Sequence, residues 1–168
     1  MKNIGFHLRE TTAADTATIL RHRRTMFEDI GFSDQKIRAS EQETTAIFTE
    51  AIENGNYHGW FIETDDGQVV SGAGVFILPF YPSPREPVSR RPWIVNVYTE
   101  PEYRKRGFGR RLVKTAVEWC QSAGFTYVHL HASPAGRPLY ETLGFRLTNE
   151  MRLAFNEEMA VAMLKSED

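Results

Sequence analysis

Five basic residues flank two glycines in the run Arg104-Lys105-Arg106-Gly107-Phe108-Gly109-Arg110-Arg111. Residues 93–99 ahead of it are β-rich and residues 108–123 after it have helical periodicity, so the cations gather where a helix begins. A helix N-terminus already carries roughly half a positive charge and unsatisfied N–H groups, so each basic side chain there is disfavoured by about 0.3–1 kcal/mol. A bound anion reverses that sign. Gly107 and Gly109 let the backbone approach a ligand closely, and first-turn amides would point at a phosphate or pyrophosphate. A solvated basic turn is the plain alternative. A P-loop is excluded because no Gly-Lys-Ser/Thr closes the pattern, and a dinucleotide fingerprint because Leu112 stands where a third small residue is needed.

The elements that must position this turn follow from periodicity and breakers. Residues 7–10 read as a first strand, and Thr12 with Asp15 as a capping-box variant opening a helix with Ile19, Met26, Phe27 and Ile30 on one side and Gly31 at its end. A second helix is capped by Ser33 or by Ser40 boxed with Glu43. It buries Ile37, Ile47, Phe48, Ala51 and Ile52 and stops at Asn54-Gly55. Residues 57–64 and 69–78 flank Asp65-Asp66-Gly67 as a β-hairpin. Residues 79–92 hold five of the eight prolines and read as a loop, with a strand beginning at Trp93. Residues 126–131 form another strand, 134–143 a short helix closed by Gly144, and 145–155 a last strand before a short amphipathic tail. The order β-α-α-β-β-β-α-β-α-β predicts an α+β fold, helices flanking a mixed, mostly antiparallel sheet.

At 168 residues, with 41% hydrophobic and 25% charged residues, one domain over residues 1–168 is expected. The net charge of −2 gives no reason to expect nucleic acid as a partner. The longest nearly apolar run, residues 72–80, is too short to cross a bilayer, and residues 1–10 carry charge instead of an apolar signal core, which predicts a cytoplasmic chain with no membrane partner. One cysteine, Cys120, excludes a disulfide framework and a thiolate zinc cluster. Its helical spacing with Val113, Ala116 and Val117 makes it a packing thiol, and metal-free chemistry is expected.

The pattern Arg-x-x-Gly-x-Gly at residues 104–109 resembles the acyl-CoA pyrophosphate loop of the GCN5-related N-acetyltransferase (GNAT) family. Two further stretches are similar to the same family: Val95-Asn96-Val97-Tyr98-Thr99 to its cofactor strand, and Leu139-Tyr140-Glu141-Thr142-Leu143-Gly144-Phe145 to its terminal motif. The resemblance covers nearly the whole chain and is weakest before Tyr57. It implies acetyl-CoA as co-substrate, no metal, and direct attack of an amine on the acetyl thioester. The implied acceptor is a small-molecule or peptide amine, and a homodimer is allowed.

The same resemblance implies the site residues. Arg104, Lys105, Arg106, Gly107, Phe108, Gly109 and Arg110 would hold the diphosphate, and main-chain groups of Val97, Tyr98 and Thr99 at a bulged strand end the pantetheine arm and thioester carbonyl. Tyr140 would be the acid, since a phenol of pKa about 10 can protonate a thiolate of pKa about 8.5. Ser133 stands where relatives place a pantetheine-binding asparagine, and could instead cap the following helix. The cofactor strand lacks the glutamate base of some relatives. His129 and His131, two apart on a predicted strand and so on one face, are alternative proton acceptors, as is an ordered water chain. Glu100 and Glu102 are expected at the surface. Glu28 and Asp29 either attract a cationic amine or are solvated charge. Besides an N-acetyltransferase, the sequence allows a non-catalytic acyl-CoA-binding regulatory module or another nucleotide-binding domain.

Overall fold

Strands β1 (Phe6–Glu10), β2 (Tyr57–Thr64), β3 (Val69–Pro79), β4 (Arg90–Thr99) and β5 (His129–Leu130) lie in one sheet in that order. The first four pair antiparallel; β5 joins β4 in parallel after the helical crossover α3 (Phe108–Ser122). This computed structural model describes residues 5–156, so the tail expected beyond them lies outside the described residues. The described residues divide into two units, one ending at Leu130 and the other beginning at His131. The first holds the sheet with α1 (Thr16–Ile30), α2 (Asp34–Glu53) and α3; the second holds α4 (Arg137–Thr142).

Local chemistry sets the helix ends. The Asp15 carboxylate accepts from the Thr12 N–H at 2.8 Å, and a single 3-10 turn, Ala13–Asp15, leads into α1. Gly31 ends α1 at φ 96°, a left-handed conformation that costs glycine nothing. Ser33 caps α2, accepting from the Lys36 N–H. The alternative cap at Ser40 is not used: that residue lies inside α2 and its hydroxyl donates to the Ile37 carbonyl.

Helices cover both faces of the sheet. On one, Ile19 and Leu20 of α1 and Phe48, Ala51 and Ile52 of α2 pack on Tyr57, Phe61, Val69, Phe76 and Val95. On the other, Leu112, Val113, Ala116 and Cys120 of α3 are buried, and the Trp119 ring meets His58 and Trp60 of β2. Ile30 and Ile47, expected in the buried stripes, are exposed.

The predicted fold class stands, with four corrections to its elements. β3 and β4 extend into the proline-rich stretch and shorten the loop to residues 80–89. Pro92 is accommodated opposite Ile77, one residue before β4 takes up β5 as a second neighbour. β5 is two residues long instead of six. The short helix begins at Arg137, not 134. Residues 145–155 form no strand among the described residues: Leu147, Met151, Leu153 and Phe155 alternate with polar residues but are exposed, and an apolar pattern makes a strand only where a neighbour pairs its backbone.

Candidate active site

One irregularity in β4 organises the site. Val95 lies opposite Gly74 of β3 and the register resumes with Tyr98 opposite Gly72, so Asn96 and Val97 share the space facing Ala73. Asn96 has φ 57°, which asparagine tolerates better than most residues. Such a bulge takes backbone groups out of the regular ladder, the condition for a main-chain N–H donor near Val97 and Tyr98. The facing glycines make room for side chains from elsewhere. A Cβ on Gly74 would stand 2.1 Å from the Tyr57 hydroxyl, and one on Gly72 would stand 2.9 Å from His22 Nδ1 and from the Phe61 ring.

The basic turn is tied to the end of this strand. Arg104 Nε donates to the Thr99 carbonyl at 2.9 Å, across a 3-10 turn at Pro101–Tyr103, and its Nη2 meets the Asp29 carboxylate of α1. Lys105 and Gly107 are both left-handed, at φ 61° and 81°. The first helical bond of α3 runs from Arg111 N–H to Gly107 O at 3.0 Å, so the amides of Phe108, Gly109 and Arg110 precede the ladder, and no side chain caps them. A Cβ on Gly107 would meet nothing within 4 Å, so the turn is open on that side. Residues 97–99 and 104–110 are therefore one continuous feature, but three predicted contacts are otherwise engaged. Arg104 pairs with Asp29, Arg106 lies against the Tyr103 and Phe6 rings, and Phe108 packs on Phe6. Lys105 and Arg110 are exposed.

Glu100 is not the surface residue expected. Its carboxylate accepts from Arg21 Nη1 at 2.7 Å and from the Tyr98 hydroxyl at 2.9 Å, and it lies 3.7 Å from His22 Nε2. Burial and the neighbouring carboxylate push the Tyr98 phenol up to about 12. His22 is 1% exposed and neither ring nitrogen has a hydrogen bond. Burial, helped by Arg21 and opposed by Glu100, holds its pKa down to about 4. The unfolded chain, with an ordinary histidine near 6.5, takes up that proton first as pH falls. The stability contributed by the neutral ring is therefore complete above about pH 6.5 and is lost toward pH 4, on the order of 3 kcal/mol in all. Denaturant titrations at about pH 7 and 4.5 should show His22→Leu losing less stability between the two than the parent; equal losses would take His22 out of this role.

In the second unit, Tyr140 lies in a short helix whose end explains the Leu-Tyr-x-x-Leu-Gly-Phe motif. Gly144 is left-handed at φ 91°, its N–H reaches Glu141 O at 3.0 Å, and the Phe145 N–H reaches Tyr140 O at 3.1 Å. This is a Schellman cap, completed by the Phe145 ring set edge-on to Tyr140 at 5.9 Å. Tyr140 is 9% exposed, and burial raises its phenol above the ordinary value. Ser133 makes the local contact open to it: its hydroxyl accepts from the Gly136 N–H at 3.2 Å.

The two histidines are not brought together as expected. β5 ends at Leu130, so His131 is outside the strand and the argument for a common face fails. His129 is in register with Trp93, four residues before Val97 and so about 13 Å along the strand from the bulge. Its ring stacks on Trp93 at 5.4 Å, and its Nε2 is 3.5 Å from Glu86. Cys120 is buried and its thiol is pushed up to about 12, as suits a packing residue. Glu28 pairs with Arg24 and Asp29 with Arg104. Among the described residues no group of three His, Cys, Asp or Glu side chains could hold a metal ion, and no helix is long and apolar enough to cross a membrane.

Residues 20–145 match the family model for the acetyltransferase (GNAT) family. The chain belongs to that family. The match runs from α1 to Phe145 and takes in the bulge, the basic turn and the capped tyrosine. A GCN5-related N-acetyltransferase from Ralstonia eutropha JMP134 is similar over 90% of this chain and 99% of its own, with TM-score 0.84 and 29% identity. A predicted acetyltransferase from Clostridium acetobutylicum, solved with acetyl-CoA, is similar over 92% and 98%, with TM-score 0.80 and 25% identity. A glucosamine 6-phosphate N-acetyltransferase of Trypanosoma brucei brucei is 33% identical over 94 residues, 55% of this chain and 62% of that relative's length. Within this GNAT chain, His22 and Arg23, the latter donating from Nη1 to Asn96 Oδ1 at 3.0 Å, are site neighbours that sequence reasoning missed, and Glu100 is one it placed at the surface. Gly72 and Gly74, two apart in a buried strand, were the available signal, since such glycines mark the close approach of something bulky.

Proposed function

We propose that the chain is an acetyl-CoA-dependent N-acetyltransferase that acetylates a primary amine by direct attack, with residues 1–168 acting as one catalytic domain. The observation that carries this reading is the N-terminus of α3, where no side chain caps the first-turn amides and a left-handed Gly107 stands in open space. Acetyl-CoA supplies a thioester that an amine attacks without a covalent enzyme intermediate. The amides after Gly107, with Lys105 and Arg110, hold the diphosphate. Bulge amides near Val97 and Tyr98 stabilise the developing oxyanion, a role that depends on backbone geometry. Tyr140 returns a proton to the leaving sulfur, and Ser133 contributes at most a pantetheine contact beside its local turn. With no carboxylate in β4 and His129 opposite Trp93, about 13 Å along the sheet from the bulge, water is the better acceptor of the amine proton. The relative named for glucosamine 6-phosphate puts an amino sugar phosphate on the acceptor panel, beside polyamines, amino acids and peptide N-termini.

Thermal shift with CoA, ATP and NAD, followed by thiol release from acetyl-CoA across that panel, tests the reading. CoA alone of the three should raise the melting temperature, and at least one amine should release thiol. A CoA-specific shift with no release would favour the non-catalytic module, which the missing strand glutamate also suits. No CoA-specific shift would overturn both.

A further inference from the structure

Three arginines follow one another closely on α1, and two are neutralised. Arg21 pairs with Glu100; Arg24 pairs with Glu28, Asp34 and Glu41. Arg23, between them, has no carboxylate partner among the described residues, although it points inward. Its guanidinium lies 4.8 Å from the Phe27 ring centre and 5.0 Å from that of Phe48, and its Nη1 donates to Asn96 Oδ1 at 3.0 Å. Arg23 Nε is buried without a hydrogen bond, and so is the Nδ2 of the same Asn96. Guanidinium cannot shed its proton, and aromatic faces offset only part of the loss of water around it. The Tyr57 hydroxyl is the polar neighbour that Asn96 and Arg23 share, but it brings no full charge, so Arg23 stands at the bulge as a largely desolvated cation whose Nε has no acceptor, an arrangement that costs stability unless something supplies one.

We propose that Arg23, oriented by the side chain of Asn96, forms a socket for an oxyanion, carboxylate or phosphate, carried by the acceptor amine itself. The inference rests on the acetyltransferase reading and narrows its substrate class to small amines bearing a negative group. Asn96 is the residue of β4 immediately before Val97, where the acetyl group is to be transferred, so anion and amine belong to one compact molecule. The acidic residues that might instead draw in a cationic amine, Glu28 and Asp29, are already paired with arginines. Burial, opposed by Tyr57, lowers the affinity of Arg23 for its proton.

The test compares matched acceptors that differ only in the anion: glucosamine 6-phosphate with glucosamine, and alanine with alaninamide. The full chain should prefer the anionic member of at least one pair by roughly 10- to 100-fold in kcat/KM, the range of one charge-assisted contact. Which pair responds tells phosphate from carboxylate. Arg23→Met keeps the stem against Phe27 and Phe48 and should lose most of that preference through KM. Glucosamine 6-phosphate or alanine alone should raise the melting temperature of the parent and not of the variant, while CoA should still stabilise the variant and so report its folding. If Arg23→Met does not fold, Asn96→Gly, which accepts the left-handed backbone, should show the same losses. Equal use of both members of each pair, a preference that survives both substitutions, or no shift of the parent with either anionic ligand overturns the socket. Failure of CoA binding or of thiol release with every amine instead overturns the enzymatic reading, and the shift with anionic ligands still reports on the socket separately.

Discussion

Tyr140→Phe is expected to lower kcat by about 10²- to 10⁴-fold while leaving CoA affinity within about threefold, the pattern of an interaction made only in the transition state. The substitution removes one oxygen from a residue whose ring is held by the helix cap around it. Gly144, Phe145 and the backbone bonds to Glu141 and Tyr140 are untouched, so the fold has no reason to respond. Burial raises the phenol above its ordinary value near 10, so the acid stays protonated throughout the physiological range. The parent's activity should accordingly show no alkaline decline from Tyr140 until above about pH 10. Stopped thiol release together with CoA titration separates the two parameters. Undiminished turnover would assign the sulfur's proton to another donor and leave Tyr140 as a packing aromatic.

Gly74→Ala is expected to destabilise the chain by about 1–3 kcal/mol or more, because the added methyl group enters a packed core. That methyl would stand 2.1 Å from the Tyr57 hydroxyl, 2.3 Å from Cζ and 2.7 Å from Cε2. Tyr57 cannot retreat easily, since it is 6% exposed and packed against Phe48 and Phe76. Adding Tyr57→Phe should therefore rescue little, because the ring carbons remain in contact. For a chain of this size each kcal/mol lowers the melting temperature by about 2–4 °C, which differential scanning calorimetry resolves. Gly74 also faces the start of the bulge, so thiol release should suffer along with stability. An unchanged melting temperature would mean that the sheet opens here to admit a side chain.

The basic turn, the capped tyrosine and the hairpin were legible because each is encoded within a few consecutive residues. The basic turn shows as cations at a helix start, the hairpin as Asp-Gly between two apolar runs, and the Leu-Gly-Phe ending as a helix terminator. What was misread involved pairing across long stretches of chain. The two-residue length of β5 depends on how far β4 offers it a neighbour, and residues 145–155 show that alternation without a neighbour leaves a strand unmade. His129 and His131 were joined on paper by a strand that stops between them.

Spacing and breakers were sufficient for the fold class and for placing the basic turn at a helix start, and the resemblance of three short motifs for the family, since these follow from local backbone preference and consecutive residues. Only the tertiary structure decided which charges are neutralised and which are not. Arg21, Arg23 and Arg24 look alike in the sequence, yet α1 turns the middle one toward Asn96 and gives its neighbours to carboxylates. Glu100 likewise became a half-buried partner of Arg21 and Tyr98 instead of a solvated charge. A residue's type states what it can bind; burial and distance, set by elements remote in the chain, determine whether that capacity is already used.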